Sequence, residues 1–130
     1  MYNRLKGKIL LKAEDSGRAY YVSPSKQEMY YLGRPADAFR VMREQGVGVT
    51  NSDLEKILVS EGKMNNKINQ AFAKKHSGKI FLQVQEKGEA WYIDTNKNQR
   101  YYLGRPDDAF NIMKKLGLGI SNQDFLSLAK

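Results

Sequence analysis

The sequence contains no cysteine and a single histidine. The lack of cysteine excludes a disulfide framework, a thiolate metal site and a cysteine nucleophile. His76 is interpreted as a solvated surface residue, because a catalytic histidine needs a positioned acid and nucleophile around it. No apolar run approaches the roughly 18 residues that a membrane helix needs, and the first seven residues contain no apolar signal core.

Signals for catalysis are also few. Residues 46–48 (Gly-Val-Gly) lack the following Lys-Ser/Thr of a phosphate-binding loop. We expect a protein that is not an enzyme and has no catalytic residues, cofactor or metal site. Four acidic residues that recur in both halves of the chain fall in the first turns of predicted helices, where carboxylates stabilise the helix dipole: Asp37, Asp53, Asp108 and Asp124.

What the sequence does contain is an internal repeat. Residues 30–35 (Tyr-Tyr-Leu-Gly-Arg-Pro) return 71 residues later, and at this offset residues 7–59 align with 78–130 without a gap, with 22 identities in 53 pairs. A unit of about 60 residues is marginally stable alone, so we expect two units that contact each other or are held by larger neighbouring domains. The predicted organisation is a first repeat unit over 1–60, a basic linker helix over 61–77 and a second repeat unit over 78–130.

Each unit is predicted to begin with a three-stranded antiparallel meander. Apolar side chains alternate along short segments that are separated by turn residues, including turns at 15–17 and 86–88. The predicted strands are 8–14, 18–22 and 29–32 in the first unit, and 79–85, 89–93 and 100–103 in the second.

Two short helices are predicted after each meander. Pro35 and Pro106 suit the first position of a helix, and Gly46 and Gly117 are predicted to end it in a left-handed conformation. The second helix is predicted over 53–58 and from Asp124 onwards, after a sequence that resembles a capping box. The fold class is therefore α+β.

The linker is predicted to be a basic amphipathic helix over 62–76, since Met64, Ile68 and Phe72 recur every four residues. At the offset of the repeat, only six residues precede Gly7 in the first unit, so its lead helix is shortened. We therefore expect the chain to be an excerpt of a longer protein.

The net charge of +8 favours a polyanionic partner. Residues 7–59 and 78–130 carry only +1 and +2, and the remaining +5 comes from Arg4, Lys6 and residues 60–77. Because this excess is spread over two segments, nucleic-acid binding is an alternative and not the leading interpretation. The candidate polyanion-binding residues are Lys63, Lys67, Lys74 and Lys75.

Aromatic residues are the stronger signal for binding. Adjacent strand residues point to opposite faces, so a first face with Tyr21 and Tyr92 is predicted core, and a second face carries Tyr20 and Trp91. The second face is predicted to be either the contact between the units or a ligand platform, on which sugars, bases or proline-rich peptides stack. The candidate ligand-binding residues are Tyr20, Tyr31, Arg34, Trp91, Tyr102 and Arg105.

Two interpretations apply to Arg34 and Arg105, which stand between glycine and proline at predicted helix starts. The structural interpretation is stacking on a tyrosine or pairing with Asp37 and Asp108. The functional interpretation is contact with an anion or carboxylate, supported by free N–H groups of the helix.

Both units, over nearly their whole length, resemble a repeat module of predicted secreted or surface proteins in candidate-phylum bacteria. The resemblance rests on residues 88–93 (Gly-Glu-Ala-Trp-Tyr-Ile), 100–110 (Arg-Tyr-Tyr-Leu-Gly-Arg-Pro-Asp-Asp-Ala-Phe), Met113 and 117–120 (Gly-Leu-Gly-Ile). It implies an accessory module at the cell envelope or outside the cell, appended to other domains, and it carries no catalytic residues. Residues 17–22 with Arg34 and Pro35 show a weaker likeness to the WW domain, a binder of proline-rich peptides.

The leading interpretation is a non-catalytic binding module that attaches a larger protein to an envelope glycan or a protein partner. The alternatives are a basic nucleic-acid-binding protein and a structural spacer. Expected partners also include the parent chain and a second copy. The expected location is extracellular or at the envelope for an excerpt, and cytoplasmic if these residues are the whole protein.

Overall fold

The computed structural model describes residues 2–12, 14 and 18–129, which form an α+β fold. The predicted turn at 15–17 lies outside these residues. The strands are β1 (Ile9–Lys12), β2 (Arg18–Val22), β3 (Met29–Tyr31), β4 (Val47–Val49), β5 (Ile80–Gln83), β6 (Ala90–Ile93), β7 (Arg100–Tyr102) and β8 (Leu118–Ile120). The helices are α1 (Tyr2–Leu5), α2 (Pro35–Gln45), α3 (Asn51–Leu54), α4 (Gln70–Lys75), α5 (Pro106–Leu116) and α6 (Asn122–Ala129).

Both antiparallel meanders that the sequence predicts are present. β2 pairs with β1 and β3, and β6 pairs with β5 and β7. Ile9 lies opposite Tyr21 and Ile80 opposite Tyr92, and all four side chains are buried. The first face is therefore a core face in both halves of the chain, as predicted.

Each sheet also contains a fourth strand, so the prediction of three-stranded sheets is wrong. β4 follows α2 in the first half of the chain but pairs in parallel with β5, with Val47 opposite Phe81. β8 pairs in parallel with β1, with Leu118 opposite Leu10. The two mixed sheets have the orders β3-β2-β1-β8 and β4-β5-β6-β7, so each half of the chain completes the sheet of the other.

The glycines that precede β4 and β8 are not the left-handed helix caps that the sequence predicts. Gly46 and Gly117 have φ of −71° and −67°, in the extended region. Their small size serves a close approach instead: a Cβ on Gly46 would lie 2.6 Å from Cγ of Leu82, and one on Gly117 would lie 2.6 Å from Cγ of Leu11. Each long helix therefore ends against a strand of the other half.

The central core joins the two halves through their first faces and the long helices. Ala38 and Met42 of α2 and Ala109 and Met113 of α5 are buried in one cluster together with the first-face residues of both sheets. Because this apolar surface is shared, its burial stabilises both sheets at once.

Two tyrosines and two glycines meet at the centre of this core. The hydroxyl of Tyr21 donates to the carbonyl of Gly78, and that of Tyr92 to the carbonyl of Gly7, each at 2.7 Å. Gly7 and Gly78 have φ of 79° and 81°, and a Cβ on Gly7 would lie 2.7 Å from Cα of Gly78. Only glycine combines the left-handed backbone with this approach.

The linker helix is much shorter than predicted, because α4 covers only Gln70–Lys75. Met64 is 61% exposed and does not belong to an apolar helix face. The side chain of Asn65 accepts the N–H of Lys67 at 2.9 Å, a local bond that competes with helix formation. Asn69 then caps α4 by accepting the N–H of Phe72. The helix predicted over 53–58 is likewise replaced by the four-residue α3.

Candidate functional site

The four aromatic candidates form two pairs, one on each sheet. The ring centroids of Tyr20 and Tyr31 are 5.1 Å apart, and those of Trp91 and Tyr102 are 5.0 Å apart. Tyr31 is 48% exposed and Tyr102 is 47% exposed, whereas their partners are half-buried. Each pair therefore presents one tyrosine ring to solvent.

The remainder of the second face is covered by short helices of the chain itself. Phe125 of α6 packs on Tyr20 with centroids 4.6 Å apart, and Phe81 is buried in a cluster with Leu54 of α3 and Ala73 of α4. The second face is therefore also a contact between the halves, as one of the two predictions states, because α6 of the second half packs on β2 and α3 of the first half packs on β5. The halves meet through both faces, and the covered part of the second face is not an open ligand platform.

Trp91 is held from several sides. Its indole N–H donates to Oε1 of Gln83 at 2.6 Å, and the guanidinium of Arg100 lies 4.5 Å from its ring. Gln83 and Arg100 lie on the two strands that flank β6. Trp91 is therefore a support for the half-exposed Tyr102 and offers little free ring surface of its own.

Arg34 and Arg105 are paired with helix carboxylates, as the structural interpretation expects. Nε of Arg34 is 3.1 Å from Asp37, and Nε of Arg105 is 3.2 Å from Asp108. Hydrogen bonding to Arg34 is the main cause that lowers the pKa of the Asp37 carboxyl below its ordinary value. Both arginine side chains remain more than 80% exposed, at 82% and 83%, so these exposed pairs contribute little stability.

The structure separates the four linker lysines. Lys63 and Lys67 line a hollow near Glu55, with Nζ of Lys67 3.1 Å from the Glu55 carboxylate. Lys74 and Lys75 lie in the last turn of α4, where the helix dipole favours cations, and face a different groove.

This basic groove, of about 530 Å³, lies between the segments that lead into the two halves. No acidic residue lines it, and none of its cations forms an ion pair with a carboxylate in the part of the chain that the structure describes. The six cationic residues that line it are Arg4, Lys6, Lys8, Lys74, Lys75 and Lys79.

Four of these six residues are not among the candidates that the sequence predicts. In the sequence, Arg4 and Lys6 are visible only as excess charge, and Lys8 and Lys79 only as strand residues. The sequence alone does not reveal the groove, because residues 4–8 approach residues 74–79 only when the halves pack together. One signal is present: at the offset of 71, Lys8 aligns with Lys79, so both halves keep a lysine there.

His76 lies beside the groove and is not the solvated residue that the sequence predicts. Its ring packs 4.5 Å from that of Phe72 and 5.2 Å from that of Phe81, and its Nδ1 is 3.2 Å from Nζ of Lys79. Burial lowers the pKa of His76 below its ordinary value, and Lys79 and Lys75 lower it further. The alignment of His76 with the buried Leu5 is the sequence signal for this packing.

Within the described residues, no three His, Asp or Glu side chains converge in a way that could hold a metal ion. None of the described helices has the length and apolar character needed to cross a bilayer. No family model matches the chain, and no curated protein or solved structure matches it. The function of the chain is therefore inferred from its own geometry.

Proposed function

We propose that this chain is a non-catalytic binding module whose basic groove takes a polyanionic polymer. The observation that carries the proposal is the convergence of six cationic side chains, without an acid, on one groove. A cleft lined by one sign of charge concentrates counter-charged ligands and speeds their association. Long lysine stems adapt to phosphates that are spaced along a flexible chain, and this suits a polymer better than one small anion.

The proposal revises the order of the alternatives that the sequence left open. Polyanion binding ranked second because the excess charge is spread over two segments of the chain. In the groove, Arg4 and Lys6 of the first segment face the same space as Lys74 and Lys75 of the second. A phosphodiester polymer is the ligand chemistry we favour, with two sources: a nucleic acid or a polymer of the cell envelope.

We also propose that the chain is two copies of one unit that exchange their fourth strands. The gapless offset of 71 and the matching order of the elements support this organisation. Together with the resemblance to surface-protein modules, it supports an accessory role in which the module attaches a larger protein at the envelope. Polymer from the envelope would then be the natural ligand.

The groove is tested by removing two charges inside it and two outside it. The variant Lys74→Gln/Lys75→Gln and the control Lys63→Gln/Lys67→Gln have the same net charge and alter the same segment. Binding to single-stranded oligo(dT) and to poly(glycerol phosphate) is measured across a range of salt concentrations. For oligo(dT), the loss of two phosphate contacts should make the negative slope of log K against log salt less steep by roughly 1.4, at about 0.7 per contact. The control keeps the native slope.

The only histidine of the chain provides a second readout. The positive charges of Lys75 and Lys79 lower the pKa of His76 in the free protein. A bound polyanion would compensate these charges. The NMR titration of this single imidazole therefore shifts to higher pH in the complex. Equal losses in both double variants would place the site elsewhere. Salt-independent binding of an uncharged glycan with a change in Trp91 fluorescence would favour the tyrosine pairs, and no binding at all would favour the structural spacer.

A further inference from the structure

The contacts between the two halves of the chain occur in reciprocal pairs. Tyr21 donates to the carbonyl of Gly78 and Tyr92 to that of Gly7, each at 2.7 Å. β4 pairs in parallel with β5, and β8 pairs in parallel with β1, in registers that correspond at the offset of 71. Reciprocal contacts of this kind are those of a two-fold axis, and the close approach of Gly7 to Gly78 places this axis between them.

The basic groove lies across the same axis. Every residue that lines it has its counterpart at the offset of 71 in the lining as well, so the groove maps onto itself under the two-fold rotation. Lys8 corresponds to Lys79, and Arg4 corresponds to Lys75. The remaining lining residues correspond in the same way: Asn3 with Lys74, Lys6 with Ser77 and Pro24 with Thr95. The groove therefore presents nearly the same groups from its two sides.

The positive charge of the groove is divided evenly between these sides. Residues 4–8 contribute three cations and residues 74–79 contribute three. Lys6 and Lys74 have uncharged counterparts, but one of these lysines belongs to each side, so neither side is favoured. The field that a negatively charged chain meets in the groove is therefore similar whichever way the chain enters it.

The phosphates of a phosphodiester chain suit such a groove, because they carry the same charge in either direction. Neighbouring phosphates are separated by the same number of backbone bonds in a nucleic acid and in poly(glycerol phosphate), whereas bases and sugar rings differ between them. Phosphate contacts fix the position of a bound strand and carry no sequence information. Among the described residues, no aromatic side chain lines the groove, so bases find no ring there on which to stack.

We propose that a phosphodiester polymer crosses the basic groove over the two-fold axis and is bound in both of its directions through its phosphates alone. Polyanion binding in the groove, as proposed above, is the premise, and the two-fold arrangement adds which feature of the ligand is recognised. A single charge-assisted hydrogen bond made in only one direction would favour that direction by about tenfold or more. The two directions should therefore be populated in a ratio well below tenfold.

The direction of the bound chain is tested by NMR with the full protein and an oligo(dT) of about ten nucleotides, a length within the range of single-strand binding sites. One preparation carries a nitroxide at one end of the oligonucleotide, and a second carries it at the other end. The amides of Ser25 and Asn96 directly follow the lining residues Pro24 and Thr95, so they report on opposite sides of the axis. Each label should broaden both amide signals to a similar extent. If one label broadens only Ser25 and the other only Asn96, the groove distinguishes direction and the proposal is wrong.

Two double variants test whether both sides of the groove take part. Arg4→Gln/Lys8→Gln and Lys75→Gln/Lys79→Gln remove corresponding charges and have the same net charge. For oligo(dT), each should make the negative slope of log K against log salt less steep by roughly 1.4, at about 0.7 per contact. A native slope in only one variant would confine binding to one side and overturn this proposal alone, whereas native slopes in both would also refute polyanion binding in the groove. The labelled oligonucleotides need no variant and keep the test decisive if one variant does not fold.

Competition with poly(glycerol phosphate) tests recognition of the phosphates alone and identifies the source of the polymer. This polymer should displace labelled oligo(dT), because its phosphates are equally spaced along the backbone. Failure to displace it would show that the groove recognises bases or sugar rings and would overturn the proposal. Displacement supports it, and the polymer that half-saturates the groove at the lower phosphate concentration is then the source that the groove fits.

Discussion

At the scale of single residues, the clearest constraint is the pair of buried tyrosines that bridge the two halves. Each phenol donates to a glycine carbonyl of the opposite half, so neither group is left unsatisfied in the core. Their neighbours Tyr20 and Trp91 differ from each other, since neither donates a hydrogen bond to the opposite half; the indole N–H of Trp91 donates to Gln83 of the adjacent strand β5. The need for this hydroxyl explains why tyrosine stands at both Tyr21 and Tyr92.

Replacing these phenols tests the bridge. Tyr21→Phe leaves the carbonyl of Gly78 without its donor, which costs about 1–3 kcal/mol of unfolding free energy, and Tyr92→Phe acts in the same way on Gly7. Urea denaturation at pH 8 measures the loss. Tyr31→Phe, on a half-exposed ring, is the control and should change stability by less than about 0.5 kcal/mol. A loss as large in the control would contradict a specific role for the buried bonds.

The same tyrosines predict a loss of stability in alkali. Burial raises the pKa of Tyr21 and of Tyr92 well above the ordinary 10.0. Below pH 10 both phenols are protonated in the folded and unfolded states, and their contribution is constant. Above pH 10 the unfolded chain releases protons that the folded chain keeps, so stability falls as the pH rises. Urea denaturation from pH 8 to 11 should show this fall, and it should be shallower in Tyr21→Phe/Tyr92→Phe. Parallel curves for the two proteins would contradict this origin.

At the scale of elements, the exchanged strands depend on close packing at the helix ends. β4, which follows α2, can pair with β5 of the other sheet because Gly46 has no side chain and leaves room for Leu82 of β5. Gly117 and Leu11 do the same for β8. In both halves, therefore, glycine is required because a side chain would block the contact between the halves, and not because its own backbone needs a special conformation.

A double-mutant cycle distinguishes this role from a backbone role. Gly46→Ala should cost about 1–3 kcal/mol, because the new methyl group overpacks against Leu82. In a Leu82→Ala background the clash is gone, and the same substitution should be neutral or stabilising by about 0.4–1 kcal/mol, since φ at Gly46 suits alanine. Chemical denaturation of the four proteins gives the coupling. A cost that persists in the Leu82→Ala background would mean that Gly46 is required for its backbone.

The sequence predicted the elements that local patterns specify and missed those that depend on the partner half. Alternation identified the meanders, and Pro35 and Pro106 identified the starts of the long helices. The three residues of β4 carry too little pattern to be recognised, and Gly46 matched a local rule for helix ends. For the candidate site, Lys74 and Lys75 were found from composition. Arg4, Lys6, Lys8 and Lys79 were not, because only the packing of the halves brings them to the same groove.

At the scale of the whole molecule, the central core and the basic groove both require the two halves together. Each mixed sheet takes one strand from the other half, and the groove takes cations from both lead segments. A half without its partner would lack a sheet strand, expose the first face and carry only part of the groove. Folding and the proposed polyanion binding are therefore coupled through the packing of the two halves.

Dividing the chain in the exposed linker tests this dependence. Fragments 1–62 and 63–130 each lack the strand that completes their sheet, so each alone should be either unfolded or a dimer that supplies the strand from a second copy. Mixed in equal amounts, they should form a heterodimer with the far-UV circular dichroism of the intact chain and with its binding to oligo(dT). Analytical ultracentrifugation gives the stoichiometry. A fragment that is monomeric and unfolds cooperatively would show that a half is stable without the exchanged strand, and the groove would then have to be explained from one lead segment alone.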